Sequence, residues 1–334
     1  MALAGCDRAR PHPEQPPPLA IVASRPAAEE VGVPLNRPLR LRFDRFLRPE
    51  SAARQSVRVT GGTFDPMTGM PVAGTEFIEP FYDVPERAVV FRLPEGERWL
   101  PRTRYSVTLW RASQNNGLGF RGLDGAELEA SVSFGFVTGD ADDPAEASAA
   151  PSASYCGRCV DGAWRPGARD VLQACVSCHG DEVVDPHVGL RLGSRASLTA
   201  TALGRVAIES LTGPSVNAVQ RTGPIFGVNM ARIDPGSPGT SYLLYKLLLR
   251  DDGYAPAGDV ALPPPLVPPP LDGEPAPTAV DVQALRETFV LGQPMPPEGP
   301  APGLERVRVL QAWIASGAPL EDDAACVASC PTVP

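Results

Sequence analysis

Lysine is nearly missing from this 334-residue chain, with Lys246 the single one among 30 basic residues. We read that bias as coding composition and attach no function to it. Histidine is also scarce, so imidazole chemistry must fall on His12, His179 or His187. No excess of positive charge exists. A formal net charge of −9 argues against a phosphate-neutralising, nucleic-acid-binding chain. There is no long apolar run either. The longest, Tyr242 to Leu249, is too short for a bilayer span and contains Lys246. Gly-rich nucleotide loops, H-E-x-x-H and G-x-S-x-G are all absent, which leaves no recognisable catalytic constellation and favours a non-enzyme.

Proline is abundant, at 40 residues, and falls largely in runs that read as linkers. The length suggests about two domains, and the chain divides accordingly. Residues 1–18 form an N-terminus and Pro-rich tether, 19–139 a first domain, 140–154 an Ala/Asp/Pro/Ser-rich linker, and 155–334 a second domain. In the first domain, apolar and polar residues alternate. Leu39, Leu41 and Phe43 interleave with Arg40, Arg42 and Asp44, and Tyr105, Val107 and Leu109 with Ser106, Thr108 and Trp110. Period two implies sheets with one buried and one wet face. About seven short strands separated by Gly- and Pro-rich turns imply an antiparallel sandwich. The phrases VGVPLNRPLRLRFDRFLRPES, VVFRLPEGERWLPRTRYSVTL and FVTGD resemble the bacterial Ig-like domain of surface proteins. That resemblance implies a spacer or presenting module, with Pro101 and Tyr105 leading into a late strand. Leu3-Ala4-Gly5-Cys6 resembles a bacterial lipobox. It implies acylation of Cys6 and a lipid anchor, although no apolar leader precedes it.

The remaining cysteines are clustered as Cys156/Cys159, Cys175/Cys178 and Cys326/Cys330, and His179 follows the middle pair. Cys175-Val176-Ser177-Cys178-His179 is a C-x-x-C-H motif, the pattern of c-type haem attachment. On a helix, positions i and i+3 share a face, so both thiols reach one porphyrin. The adjacent histidine can then place a nitrogen on the iron. Two alternatives use the same thiols. With Cys156 and Cys159 they spell a C-x₂-C-x₁₅-C-x₂-C zinc pattern. Alone they could be a redox pair, but a thioredoxin-like βαβ context is missing.

The flanking order continues with Pro235-Gly236-Ser237-Pro238 before Ser241-Tyr242-Leu243, then Met295-Pro296-Pro297, then Trp313-Ile314-Ala315-Ser316-Gly317-Ala318. It resembles a monohaem cytochrome c domain of the class I type, in its extended planctomycete and myxobacterial form. The departure is a Pro-rich insertion at 255–277. The resemblance implies a mainly α fold whose first and last helices cross. It also implies one covalent haem c on Cys175 and Cys178, with His179 proximal and Met295 distal on the iron. Met230 is the second candidate for the distal position and His187 the third. If those helices cross, Cys156, Cys159, Cys326 and Cys330 emerge close together, and disulfides between the two pairs are expected over local ones. The whole then reads as a multi-domain protein: an all-β Ig-like sandwich followed by a mainly α cytochrome c domain. Its expected role is electron transfer in the periplasm or at the cell surface, lipid-anchored, with basic redox partners. A haem-bearing subunit of an envelope oxidoreductase, or a surface binding protein with a zinc or sensory site, are the alternatives.

Overall fold

The computed structural model describes residues 16–61, 67, 80–94, 96–144, 153–160, 162–184, 189–207, 230–249, 281–282, 285, 290, 294–297, 302–326 and 330. Cys6, His12, His187 and the insertion at 255–277 lie outside them. Among the described residues no helix is long and apolar enough to cross a membrane.

The first half contains β1 (Ile21–Arg25), β2 (Val31–Val33), β3 (Leu39–Phe43), β4 (Val57–Gly61), β5 (Phe81–Asp83), β6 (Ala88–Phe91), β7 (Arg104–Leu109) and β8 (Val132–Thr138). They form two four-stranded sheets, ordered β1-β3-β6-β5 and β2-β8-β7-β4. Between the sheets, Trp99 lies edge-on to Tyr105 and Phe136, with ring centroids 4.7 and 5.5 Å away. The Trp99 indole N–H donates to the Arg37 carbonyl at 2.6 Å, and the Tyr105 hydroxyl accepts the Leu100 N–H at 3.0 Å. The polar ends of the large aromatics are therefore satisfied inside the core. One pairing departs from the expected antiparallel arrangement. β2 runs parallel to β8, because the chain passes from the first sheet to the second and back between β1 and β3.

Burial also departs from expectation, and unevenly. β7 alternates as predicted, with Tyr105, Val107 and Leu109 buried and Arg104 and Ser106 exposed. β3 and β6 are buried at every position, including Arg40 and Arg42. The reason is that the second half of the molecule covers the outer face of their sheet.

That second half contains β9 (Arg158–Val160) paired with β10 (Ala163–Arg165), and helices α1 (Ala168–Leu172), α2 (Val176–His179), α3 (Arg195–Thr201), α4 (Tyr242–Leu248) and α5 (Leu304–Ala315). A 3₁₀ turn at Gln173–Cys175 joins α1 to α2, so one helical run reaches His179. α1 packs on α5, and the Tyr155 ring lies 6.3 Å from Trp313. Gly317 ends α5 with φ +91°, a left-handed conformation that glycine adopts without steric cost. The Ala318 N–H then closes the turn on the Trp313 carbonyl at 2.9 Å. The periodicity predicts one apolar face for α5, yet Val307 to Ile314 are all buried. Arg308 and Gln311, on its expected polar side, meet the sandwich instead.

Cys156 bridges Cys326, and Cys159 bridges Cys330, the cross-pairing expected over the local one. Each bridge ties the chain before α1 to the chain after α5, closing loops of 170 and 171 residues. A loop that long restricts the unfolded chain strongly, by roughly 5 kcal/mol for the first bridge in the chain-entropy account, and the second, closing only the short remainder, adds less. The two halves share one hydrophobic cluster that runs from Leu39 and Phe91 to Tyr245 and Trp313. The start of the linker is also pinned, by a reciprocal pair of hydrogen bonds between the Asn36 amide and the Asp143 backbone at 2.8 and 3.0 Å.

Candidate functional site

Helix α2 and the 3₁₀ turn before it place Cys175, Cys178 and His179 at the wall of a mainly apolar cavity. Leu190, Leu192, Ala207, Tyr242 and Leu243 supply an apolar lining, and Arg232 and Lys246 add two cationic side chains. Met295, Pro296 and Pro297 line the same cavity.

His179 is held from one side. Its ring Nδ1 lies 3.1 Å from the Leu190 carbonyl oxygen. A carbonyl only accepts, so Nδ1 carries a proton, and the neutral form of the ring then has its lone pair on Nε2. Fixing a histidine tautomer through a backbone carbonyl is how proteins present Nε2 to a metal. The Leu190–Leu192 strip is held in turn. The Leu192 N–H donates to the His179 carbonyl at 2.7 Å, and the Arg191 N–H to the Thr201 hydroxyl of α3 at 2.9 Å. α3 begins at Ser194, whose hydroxyl accepts the Ser197 N–H at 3.2 Å. Directly after His179 the chain turns at Gly180. A Cβ there would sit 2.5 Å from the Val176 carbonyl oxygen, so only glycine lets the turn close on the helix.

Met295 is placed by α4: its N–H donates to the Lys246 carbonyl at 3.3 Å. Tyr242, Leu243 and Lys246 share one face of that helix and look into the cavity. Met230, the second candidate, is buried in the core and is not part of the lining. Its carbonyl accepts the N–H of the lining residue Ala207 at 2.9 Å. His187 lies outside the described residues.

The thiols of Cys175 and Cys178 are unbridged. Burial, and after it the neighbouring Cys178, pushes the Cys175 thiol up to about 11, so it is neutral at physiological pH. A disulfide oxidoreductase needs the opposite, a depressed thiolate. The zinc alternative is corrected by the disulfides. Cys156 and Cys159 are consumed by Cys326 and Cys330, so the four-thiol set does not form. Among the described residues no group of three or more His, Cys, Asp or Glu side chains is placed to hold a metal ion. What the cavity does offer is two unbridged thiols one turn apart, an imidazole nitrogen, a thioether and an apolar wall. That donor set suits a planar, covalently tethered macrocycle whose iron takes one nitrogen and one sulfur.

Of the residues lining this cavity, the sequence singles out Cys175, Cys178, His179 and Met295 as candidates, and not Arg232, Tyr242 or Lys246. The one available signal was Lys246 itself, a lone cation inside the apolar stretch Tyr242–Leu249.

Residues 14–138 match the bacterial Ig-like domain family. Domains of that family are typical of bacterial extracellular and surface proteins. Among solved structures, an LD transpeptidase in complex with imipenem is 21% identical over 37% of this chain, at a TM-score of 0.22. An L,D-transpeptidase from Mycobacterium smegmatis is 17% identical over 37% of the chain, at 0.22. The chain spans 41% of the length of each. PcoC, a copper resistance protein from Escherichia coli, is 18% identical over 36% of this chain and 98% of its own, at 0.24. Nothing about function is carried over from likenesses this slight. No curated protein matches the chain.

Proposed function

We propose that the chain is an electron carrier of the bacterial cell envelope. It holds one haem c covalently at Cys175 and Cys178, with His179 as the proximal and Met295 as the distal iron ligand. One observation carries the reading: these four side chains, drawn from two segments far apart in sequence, line a single apolar cavity. Haem c, when bound, supplies a one-electron ferrous–ferric couple.

The protein's own residues do the rest. Cys175 and Cys178, at i and i+3 on the helical run, tether the group so that it cannot dissociate. The Leu190 carbonyl keeps His179 in the tautomer with its lone pair on Nε2. Leu190, Leu192, Tyr242 and Leu243 form an apolar wall that excludes water, and with His179 and Met295 they would set the potential of the bound group. Arg232 and Lys246 line the same cavity and would supply positive charge near the carboxylates that such a macrocycle carries. Cys6 is the proposed lipid attachment, with residues 1–18 as tether. The acidic balance of the chain suits basic redox partners and salt-sensitive association.

The test is expression with signal peptide and haem-maturation machinery, followed by haem staining on a denaturing gel. A covalent haem band is expected, and its loss in the Cys175→Ala/Cys178→Ala variant. Met295→Ala should keep the band, lose the weak thioether–iron absorption and lower the potential. Wild-type protein without covalent haem, from a host that loads a control cytochrome, overturns the reading.

A further inference from the structure

One turn of the sandwich grips the chain on both sides of Met295. That turn, residues 83–87, joins β5 to β6. Upstream of Met295, the Arg87 guanidinium pairs with Asp281, and both side chains are buried. Downstream, Glu86 pairs with Arg308 of α5. The Gln311 amide, also on α5, donates to Asp83 Oδ1 at 3.2 Å, and its oxygen accepts the Val84 N–H at 3.1 Å. Arg40 of β3 holds the two carboxylates of the turn from beneath, pairing with Asp83 at 3.0 Å and with Glu86. Between the anchors, Val282, Leu285 and Val290 are buried. Met295 itself is fastened to α4 through the Lys246 carbonyl.

The turn is built for this. Arg87 has φ +54°, a left-handed conformation that costs an arginine more than a glycine or asparagine. A position selected only for turning would favour glycine. Here the side chain is kept, and it reaches Asp281. The Arg87 carbonyl also accepts the Phe43 N–H at 3.0 Å, locking the turn to β3.

We propose that residues 83–87 of the Ig-like half are positioning residues for the distal ligand: they hold both flanks of the Met295 segment and so keep its thioether at the cavity. The physical basis is effective concentration. A sulfur on a segment fastened at both ends is presented at a fixed place, whereas one on a loosened segment loses local concentration and competes poorly with water. The Ig-like half then tunes the redox site and is more than a spacer. This inference rests on the haem reading for its spectroscopic readout, and its test separates the two.

The experiment uses full-length, haem-loaded protein. Arg87→Met removes the upstream anchor, and Gln311→Leu, which deletes no charge, removes the hydrogen bonds to Asp83 and Val84 from the downstream one should the first variant fold poorly. Expected for either is unchanged covalent haem, a weakened thioether–iron band and a lower midpoint potential. Each tenfold loss of the thioether's ferrous affinity relative to ferric appears as a fall of about 59 mV. Arg87→Lys, which keeps the cation, should restore most of the band. As a second readout, hydrogen exchange at the Met295 amide should speed up in Arg87→Met, with or without haem. Variants that melt earlier but keep band, potential and Met295 exchange at wild-type values overturn the proposal, because the turn is then glue between halves. Wild-type protein with covalent haem and no thioether band overturns it while leaving the haem reading intact. Absence of covalent haem overturns the haem reading alone, and the exchange rates still decide the clamp.

Discussion

The two sheets of the sandwich have the same strand count and opposite surroundings. In β2-β8-β7-β4 the outer face meets solvent, and charges there lie in the open: Arg104 and Glu29 pair at 2.6 Å while 64% and 66% exposed. In β1-β3-β6-β5 the outer face is covered, and charges there are enclosed: Arg40 and its partners Asp83 and Glu86 are 1–2% exposed. Arg92 lies over the Phe81 ring at 4.9 Å, and burial lowers it to about 10 despite the opposing pull of Asp83. Burying charge is costly unless each charge finds a partner. Such a cluster adds little net stability over an apolar interface of the same shape. What it adds is a single permitted docking, because sliding α5 along the sheet would strand several ions at once. A solvent-facing sheet would suffice for a spacer, so the covered one marks where the Ig-like half takes part in the rest of the molecule.

The sharpest way to break this contrast is to remove one buried partner. Glu86→Leu leaves Arg308 and half of the Arg40 bridge uncompensated, and should cost about 3–5 kcal/mol. Urea unfolding midpoints measure it. Adding Arg308→Met to the same chain should recover a large part, since an apolar pair of similar volume is tolerated better than a lone buried ion. A loss below about 1 kcal/mol in the single variant would place this cluster with surface ion pairs and end the distinction.

Much of this was legible in the sequence. Alternation at Tyr105, Val107 and Leu109 gave the bare sheet directly, because one face is wet and the pattern records it. The C-x-x-C-H motif and Met295-Pro296-Pro297 pointed to the lining residues Cys175, Cys178, His179 and Met295, because local spacing encodes which side chains share a helix face or a stiff loop. The covered sheet was misread for a physical reason. Arg40 and Arg42 look like solvent-facing residues, and nothing in β3 says that Glu86, Arg308 and Asp281 will arrive to enclose them. Burial of an ion is a property of its partners, and those sit in distant parts of the chain. The place of Lys246 and Arg232 in the cavity was not legible for the same reason: a cation becomes part of a cavity only through tertiary packing.

Proton uptake distinguishes the two environments with opposite signs. Burial, with Asp83 adding to it, raises the Glu86 carboxyl, against the pull of Arg40 and Arg308. The folded state therefore takes up this proton more readily than the unfolded one. The stabilising contribution is full below the ordinary glutamate value of about 4.3 and is lost as pH rises through the raised folded value. Glu127, in the β7–β8 connection, behaves the other way. Burial pushes it up, but the Ser113 N–H at 3.0 Å, with Arg121 and Arg111, outweighs burial and lowers it. Its contribution is present above the ordinary value and is lost as pH falls through the folded one. Stability curves against pH for wild type, Glu86→Gln and Glu127→Gln test this. Relative to its glutamine variant, wild type should gain stability on acidification at position 86 and lose it at position 127. Parallel curves at both positions would remove the electrostatic difference between the two environments.

The smallest expected effect is the most informative control. Arg104→Ala deletes one member of the exposed pair on the bare sheet, where water already solvates both ions. Its cost should stay within about 0.5 kcal/mol. What remains should shrink with salt, because exposed charges are screened over about 10 Å at ~0.1 M ionic strength. Glu86→Leu should show almost no salt dependence, since ions cannot enter the interface between the sheet and α5. Midpoints for both variants at low and high salt place the two sheets on one scale. If Arg104→Ala proved as damaging as Glu86→Leu, and equally insensitive to salt, coverage by the second half would not be what sets the worth of a charge in this sandwich. The clamp on Met295 would then lose the enclosed, partner-dependent electrostatics on which it is built.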